Sequence, residues 1–518
     1  MSANTLPSPE RPTFGVEIEF MIATLPADKE VLDPDANVEG LPPVLRIPEN
    51  DGLLGPDDYL QDYTLRSVRR VIHECFGPPT SSTPMSSSSR WQVNPMRVLD
   101  AYRNWVVDHD ASIVAIGSKP YRFVGVEVSS PVQFSSPKGF NAISFAISAI
   151  TSRFRCMVNF SCGLHVHAGL GIERLPLEHV RRIASLTYAA ESLLFTLHDP
   201  IRRVNNYCKP LQDYSYLVTE TVERDLETAV PHSKRRDSKG RRSGDECHGY
   251  LGRERRHGEA PLSVRDEHTD KAHIEAFLKT RQRGHFEPFT KPGDSRHTKL
   301  LPDISDELVP RLSAARLSSS AIPPAEKAEK ARQRNMPRLR LPRHSSPQLW
   351  AKHEKLAPFG LATPAHLVSD LDERGPGPGV FEAARRIYSQ PASCYISELL
   401  SGHDRPAISF NAYKCSALSP RSIMRTIEFR LGEGSLDSGW ISTWAKICVG
   451  LFKFALYSSP DQFIDVLTNC DRAMKEDGAY DVIDLLDDIG LFAEAEIAER
   501  RLMANKDRWN LTFVEPES

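Results

Sequence analysis

Three short apolar segments each carry two polar residues at positions i and i+2. They are Phe14-Gly-Val-Glu17-Ile-Glu19-Phe20, Cys162-Gly-Leu-His165-Val-His167-Ala168 and Thr426-Ile-Glu428-Phe-Arg430-Leu431. In a β-strand alternate side chains share a face, so each segment turns its polar pair one way and its apolar residues the other. A fourth segment, Val124-Gly-Val-Glu127-Val-Ser129, puts Gly125, Glu127 and Ser129 on one face and three valines on the other. Carboxylates, imidazoles and a guanidinium are costly to bury unless they meet each other, a metal or a charged ligand.

Taken singly, each segment has an ordinary explanation. Glu17 and Glu19 suit a hard cation such as Mg²⁺, which takes oxygen ligands and keeps waters and substrate phosphates, but an exposed edge strand also carries such pairs. His165 and His167 suit zinc, phosphate oxygens or a satisfied core. Arg430 offers a planar fork for carboxylate or phosphate, and equally a local salt bridge to Glu428. Together the weights change. Four apolar strands spread over more than 400 residues each present ligating groups on one face. Four carboxylates, two imidazoles and one arginine are what an ATP–magnesium site requires, with metals and arginine neutralising charge as a phosphoryl group moves.

The elements that would position these groups can be read from periodicity. Strands are expected over 14–22, 102–108, 112–116, 124–128, 162–168, 407–413 and 425–431. Helices are expected over 58–76, 141–154, 177–198, 379–388, 438–457, 460–475 and 478–505. Residues 1–12 read as a loose tail, 26–56 as loop, and 77–90 as a Pro/Ser-rich mobile stretch. From 223 to 345 the chain is charged and poorly periodic, as in Ser233-Lys-Arg-Arg-Asp-Ser-Lys-Gly-Arg-Arg-Ser243, and reads as a disordered insertion. The catalytic domain would then comprise 12–222 and 346–460, followed by a helical extension over 461–518.

Bulk properties narrow the class. The 518 residues are 40% hydrophobic, enough for a large core, and carry a formal charge of −3, which gives no argument for nucleic acid. Nine cysteines without a CxxC pair indicate a reducing compartment rather than a disulfide framework. The first residues lack a signal-peptide core, and no membrane-length apolar run occurs. A cytoplasmic protein is expected, with a nuclear address possible through the basic runs at 234–242 and 253–257. No glycine-rich phosphate loop is present, consistent with phosphates held through metals.

The ordered set of motifs resembles the amidoligase enzymes, carboxylate–amine ligases related to glutamine synthetase and glutamate–cysteine ligase. Trp105-Val-Val-Asp-His-Asp110-Ala-Ser112 followed by Val124-Gly-Val-Glu127-Val-Ser-Ser-Pro131 extends the resemblance, as do Arg203-Val-Asn-Asn206, Phe410-Asn411 and Gly432-Glu-Gly-Ser-Leu-Asp437. It covers 12–222 and 346–460 and has the look of a fungal member; the long insertion is a departure. The resemblance implies an α+β, glutamine-synthetase-like fold, a curved and mostly antiparallel sheet with helices on one face. It implies ATP and Mg²⁺ as cofactors and an acyl-phosphate route from an acid and an amine to an amide. Glu17, Glu19, Glu127 and Glu428 would hold metal. His165 and Glu428 would serve catalysis, Arg430 would stabilise the transferring phosphoryl group, and His167, Arg203 and Asn206 would contact nucleotide or substrate. Asp110 would orient the amine or a metal-bound water. Cys162 reads as a small buried residue rather than a nucleophile. Small-molecule or peptide acids and amines are the expected partners, with neither nucleic acid nor membrane. Two other readings stay open: a zinc hydrolase built on His165 and His167, and a non-catalytic interaction protein on a ligase scaffold.

Overall fold

A computed structural model describes residues 12–27, 31–50, 52–77, 104–116, 119–171, 174–219, 334–341, 347–363, 377–402, 405–414 and 425–514. The mobile stretch expected over 77–90 and most of the expected insertion lie outside these residues. The fold is α+β. Among the described residues, nine strands form one sheet: β1 (Thr13–Pro26), β2 (Leu45–Ile47), β3 (Val106–Asp108), β4 (Arg122–Ser129), β5 (Gln133–Phe134), β6 (Cys156–Met157), β7 (Gly163–Gly169), β8 (Ile408–Ser409) and β9 (Ile427–Glu433). The main path runs β3-β4-β1-β7-β9-β8, with β2, β5 and β6 also pairing with β1. Every pairing except β1 with β2 is antiparallel.

The alternation in these strands decides which face is covered. Val16, Ile18, Phe20 and Ile22 of β1 join Val126 and Val128 of β4, Leu164 and Val166 of β7, and Ile427, Phe429 and Leu431 of β9 in one buried core. Helices α1 (Pro56–Phe76), α2 (Pro137–Thr151), α3 (Leu177–Phe195) and α4 (Ser438–Tyr457) supply the other side of that core. The last of these is apolar nearly all round and runs behind β1 and β7. Burial of Trp444, Ile447, Leu451 and Phe452 contributes roughly 1.5–3 kcal/mol each. Asp437 starts this helix by accepting from the backbone N–H groups of Gly439 and Trp440 at 2.9 and 3.1 Å.

The opposite face of the sheet is polar in the middle and apolar beyond it. Past Glu19, β1 continues with Met21, which packs with Ile113 and Cys162. Ala23 and Leu25 then pack with Val44. Gly125 on β4 lets this second layer sit close, since a Cβ there would lie 2.9 Å from that of Ile113. The loop before Ile113 is thereby drawn onto the sheet.

Several expectations need correction, among them the loop expected over 26–56, which contains β2. Residues 112–116 are not a strand. The Asp110 carboxylate accepts from the Ser112 N–H at 2.6 Å, and Ser161 and Asn159 satisfy the Val114 backbone, so a turn replaces a ladder. Over 407–413 only Ile408–Ser409 is strand, and Asn411–Tyr413 forms a 3₁₀ turn. The 478–505 helix is two helices, α6 (Val482–Asp488) and α7 (Phe492–Trp509), broken at Gly490, whose φ of 79° is left-handed. Together with α5 (Pro460–Lys475), both pack into the main core rather than forming a separate extension.

Residues 334–341 are not part of an excursion. Met336 and Leu339 are buried, and Leu339 bridges to Phe513. Arg334 pairs with Asp484 at 2.9 Å and with Asp481, which is fully buried and caps α6. The stretch reads as insertion because its partners lie about 140 residues away in sequence, invisible to local periodicity. Removing one partner of such a buried pair leaves an uncompensated charge. Arg334→Ala is expected to destabilise the fold by about 2–4 kcal/mol in urea unfolding; a change within about 0.5 kcal/mol would mean the segment is not anchored there.

Candidate active site

The strand register assembles the site. Glu17 faces Ser129 on one neighbour and His165 on the other. Glu19 stands opposite Glu127, and His167 opposite Glu428. Glu428 in turn faces Ser409 on the edge strand. All four special strands are therefore adjacent, and their polar residues share the face opposite the core that α1 to α4 cover.

The side chains form a connected series. His165 places Nδ1 3.1 Å from Glu17 Oε2 and Nε2 3.7 Å from Glu19 Oε1. Glu17 Oε1 lies 3.2 Å from His167 Nε2, without hydrogen-bond alignment. His167 Nδ1 is 3.2 Å from Thr426 Oγ1. The Gly163 N–H donates to Glu19 Oε2 at 2.6 Å, and a Cβ at Gly163 would lie 2.6 Å from His165 Nε2. The glycine of the Cys-Gly-Leu-His segment is thus a requirement of close approach. Arg430 is ion-paired with Glu428 through Nη1, while its Nε is buried with no partner. Ser129 donates to Glu127 Oε1 at 3.0 Å.

Two groups of cation size result. Glu17, His165 and Glu428 offer ligand atoms within 4.8 Å of one another, and so do Glu19, Asp110 and Glu127. The second set is all oxygen and suits a hard cation; the first is mixed oxygen and nitrogen. The two histidines do not fall in one group, which weighs against a zinc centre built on both.

The electrostatics follow the geometry. Burial pushes Glu127 up to about 8, with Glu17, Glu19 and Asp110 adding repulsion. Half-buried carboxylates this close do not all ionise unless a positive charge joins them. Glu17 moves the other way: burial raises it, but His167 and His165 together hold it well below the ordinary range. Burial favours neutral His167, yet Glu17 and Glu428 push it up to about 9. Burial also opposes ionised Glu428, but Arg430 and His167 keep it lowered.

The structure brings Glu17, Glu19, Glu127, His165, His167, Glu428 and Arg430 together. Asp110, expected to orient an amine or water, sits directly among the carboxylates. Arg203 is turned elsewhere, buried with its Nη2 3.9 Å from Asp213 and its guanidinium 5.7 Å over the Phe195 ring. Its neighbour Arg202 instead reaches β9, donating to the Arg430 carbonyl at 2.8 Å. The 3₁₀ turn Pro200–Val204, started by Asp199 accepting from the Ile201 N–H, decides between the two. Asn206 donates its backbone N–H to the Leu361 carbonyl, and its side-chain oxygen is buried without a partner. Cys162 is buried, and burial pushes its thiol up to about 12, in keeping with a packing role. Thr426 and Arg202 are the contributors that sequence reasoning missed.

Residues 10–241 match the family model described as "Putative amidoligase enzyme", the family that the motifs resemble. The third motif, with Glu428 and Arg430, lies beyond the matched residues and joins them through the register of β7 and β9. No curated protein and no solved structure matches the chain. Among the described residues, no helix is long and apolar enough to cross a membrane.

Proposed function

With residues 10–241 matching the amidoligase family as premise, we propose that this chain is an ATP- and Mg²⁺-dependent carboxylate–amine ligase. The observation that carries the proposal is the convergence of Glu17, Glu19, Glu127, His165, Glu428 and Arg430 from four adjacent strands on one open sheet face. On this reading the sheet is a glutamine-synthetase-like catalytic sheet.

Glu17, His165 and Glu428 would hold one cation, and Glu19, Asp110 and Glu127 another. When bound, such cations neutralise and align triphosphate oxygens. The residues do the rest. His165 fixes the rotamers of Glu17 and Glu19 by standing between them. Glu428 holds the Arg430 guanidinium in place, and the buried, unpartnered Arg430 Nε leaves donor capacity for a phosphoryl oxygen. His167, propped by Thr426, adds a second fixed donor. In the first step a substrate carboxylate oxygen attacks the γ-phosphorus and ADP leaves, giving an acyl phosphate. In the second an amine nitrogen attacks the acyl carbon, phosphate leaves and one proton is released. A small-molecule or peptide acid and amine would be the substrates.

Manganese titration followed by electron spin resonance tests the site. The proposal expects Mn²⁺ binding that tightens with ADP and is lost in Glu19→Gln. Tightly held zinc, with no binding of Mn²⁺ or ADP, would overturn it in favour of a hydrolase.

A further inference from the structure

Arg405 stands out at the edge of this site. Its φ of 65° is left-handed, a region that residues other than glycine, asparagine and aspartate seldom occupy. The one other described residue of this kind without glycine's freedom is Asn510, which closes α7 in the ordinary manner of a helix terminus. Arg405 closes no helix. Strain of this sort persists where surrounding structure enforces it, often at ligand sites.

The enforcement is visible. The Arg405 carbonyl accepts from the Lys209 N–H at 3.1 Å, the Ala407 N–H donates to the Lys209 carbonyl, and the Arg430 N–H donates to the Ala407 carbonyl, both at 2.7 Å. The segment is thus tied to β9 beside Arg430 and to the loop of Asn206 and Tyr207. The Arg405 guanidinium carbon lies 3.9 Å over the Tyr207 ring, and no acid partners it among the described residues. Tyr207 packs against the cluster of Ile201, Val204, Leu356 and Leu361, which Val114 also joins four residues after the Asp110 that meets the carboxylates. A planar cation stacked on a ring, with no acid partner among the described residues, is built to receive an oxyanion.

We propose that Arg405 is an oxyanion-binding residue at the rim of the acidic site, its guanidinium held flat on Tyr207 to receive a phosphate of the nucleotide or a carboxylate of the acid substrate. This inference rests on the ligase reading and names the residue through which that site would grip its substrate.

The test uses the full chain with Mg²⁺, titrated calorimetrically with two probes, ADP and glutarate. Arg405→Gly should weaken one probe about tenfold or more, and Arg405→Lys should fall between it and wild type. Loss with ADP assigns a phosphate and loss with glutarate a carboxylate. The melting temperature of Arg405→Gly should stay close to wild type, because relief of the left-handed backbone opposes loss of the stack. If Arg405→Gly binds both probes like wild type while Glu17→Gln loses ADP, the Arg405 assignment fails and the ligase reading stands. A lower melting temperature with unchanged binding would make the stack structural and overturn the assignment. If wild type binds neither probe, both fail.

Discussion

Glu17→Gln should abolish Mg²⁺-dependent ATP turnover, by about three orders of magnitude or more, while the protein remains folded. The carboxylate touches more of the site than any other group. One oxygen faces His165 and the other faces His167, and the carboxylate joins His165 in the group that Glu428 completes. Losing a preorganised charge at such a point costs on the order of 3–4 kcal/mol in transition-state stabilisation, before any loss of cation affinity is counted. The glutamine side chain keeps the shape, and the apolar half of β1, which carries Val16 and Ile18 into the core, is untouched. Thermal unfolding should therefore change little, whereas turnover disappears. Turnover within about threefold of wild type would remove Glu17 from the mechanism.

The second large effect is on the cation-free protein and its response to pH. The folded state pushes Glu127 up to about 8 from the ordinary 4.5, through burial and the repulsion of Glu17, Glu19 and Asp110. A group raised in this way contributes stability that is fully present below the unfolded value and is lost as pH climbs through the folded value. For Glu127 the loss runs from about 4.5 to about 8. His167, pushed up to about 9 by Glu17 and Glu428 against the pull of burial, loses its contribution between 6.5 and 9. Burial pushes Glu191, away from the site, up to about 8 in the same sense. His198, which burial holds well below its ordinary 6.5, acts oppositely, but only on the acid side of that value. The cation-free protein should consequently weaken as pH rises from 7 to 9. Glu127→Gln removes its share, a difference on the order of 1–3 kcal/mol after allowance for partial exposure. Magnesium at a hundred times its dissociation constant should restore about 2.7 kcal/mol to wild type, and little to Glu127→Gln. Chemical denaturation at pH 6 and pH 9, with and without Mg²⁺, measures all four terms. Identical pH profiles for the two proteins would mean that Glu127 does not share a charge-crowded site.

How much of this was legible depends on whether a residue's role is set locally. The i, i+2 pairs were readable because period-two alternation fixes which face a strand side chain takes. Once Val16 and Ile18 go to the core, Glu17 and Glu19 must go to the other side. The same reasoning placed His165, His167, Glu428, Arg430 and Glu127 on one face. Their neighbourhood was not readable, since it depends on the register between strands up to some 260 residues apart, as for His167 and Thr426. Asp110 stands out in the sequence, but its place beside Glu19 and Glu127 does not. The 112–116 stretch looks like a strand by composition, and only Asn159, Ser161 and the space at Gly125 make it a turn that delivers Asp110 to Glu127. The motif resemblance names Arg203, but the 3₁₀ turn directs Arg203 toward Asp213 and sends Arg202 to β9. The segment 334–341 was lost to the insertion because charge and proline content report local solvation, not a distant buried Asp481.

The most direct test of the ligase assignment is a coupled assay of ADP release across libraries of carboxylic acids and amines, with Mg²⁺ and ATP held constant. The account predicts at least one pair for which ADP appears only when acid and amine are both present, in step with amide formation, and disappears in Glu17→Gln. ADP release that needs neither partner, or no release from any pair by a protein that carries zinc, would contradict it.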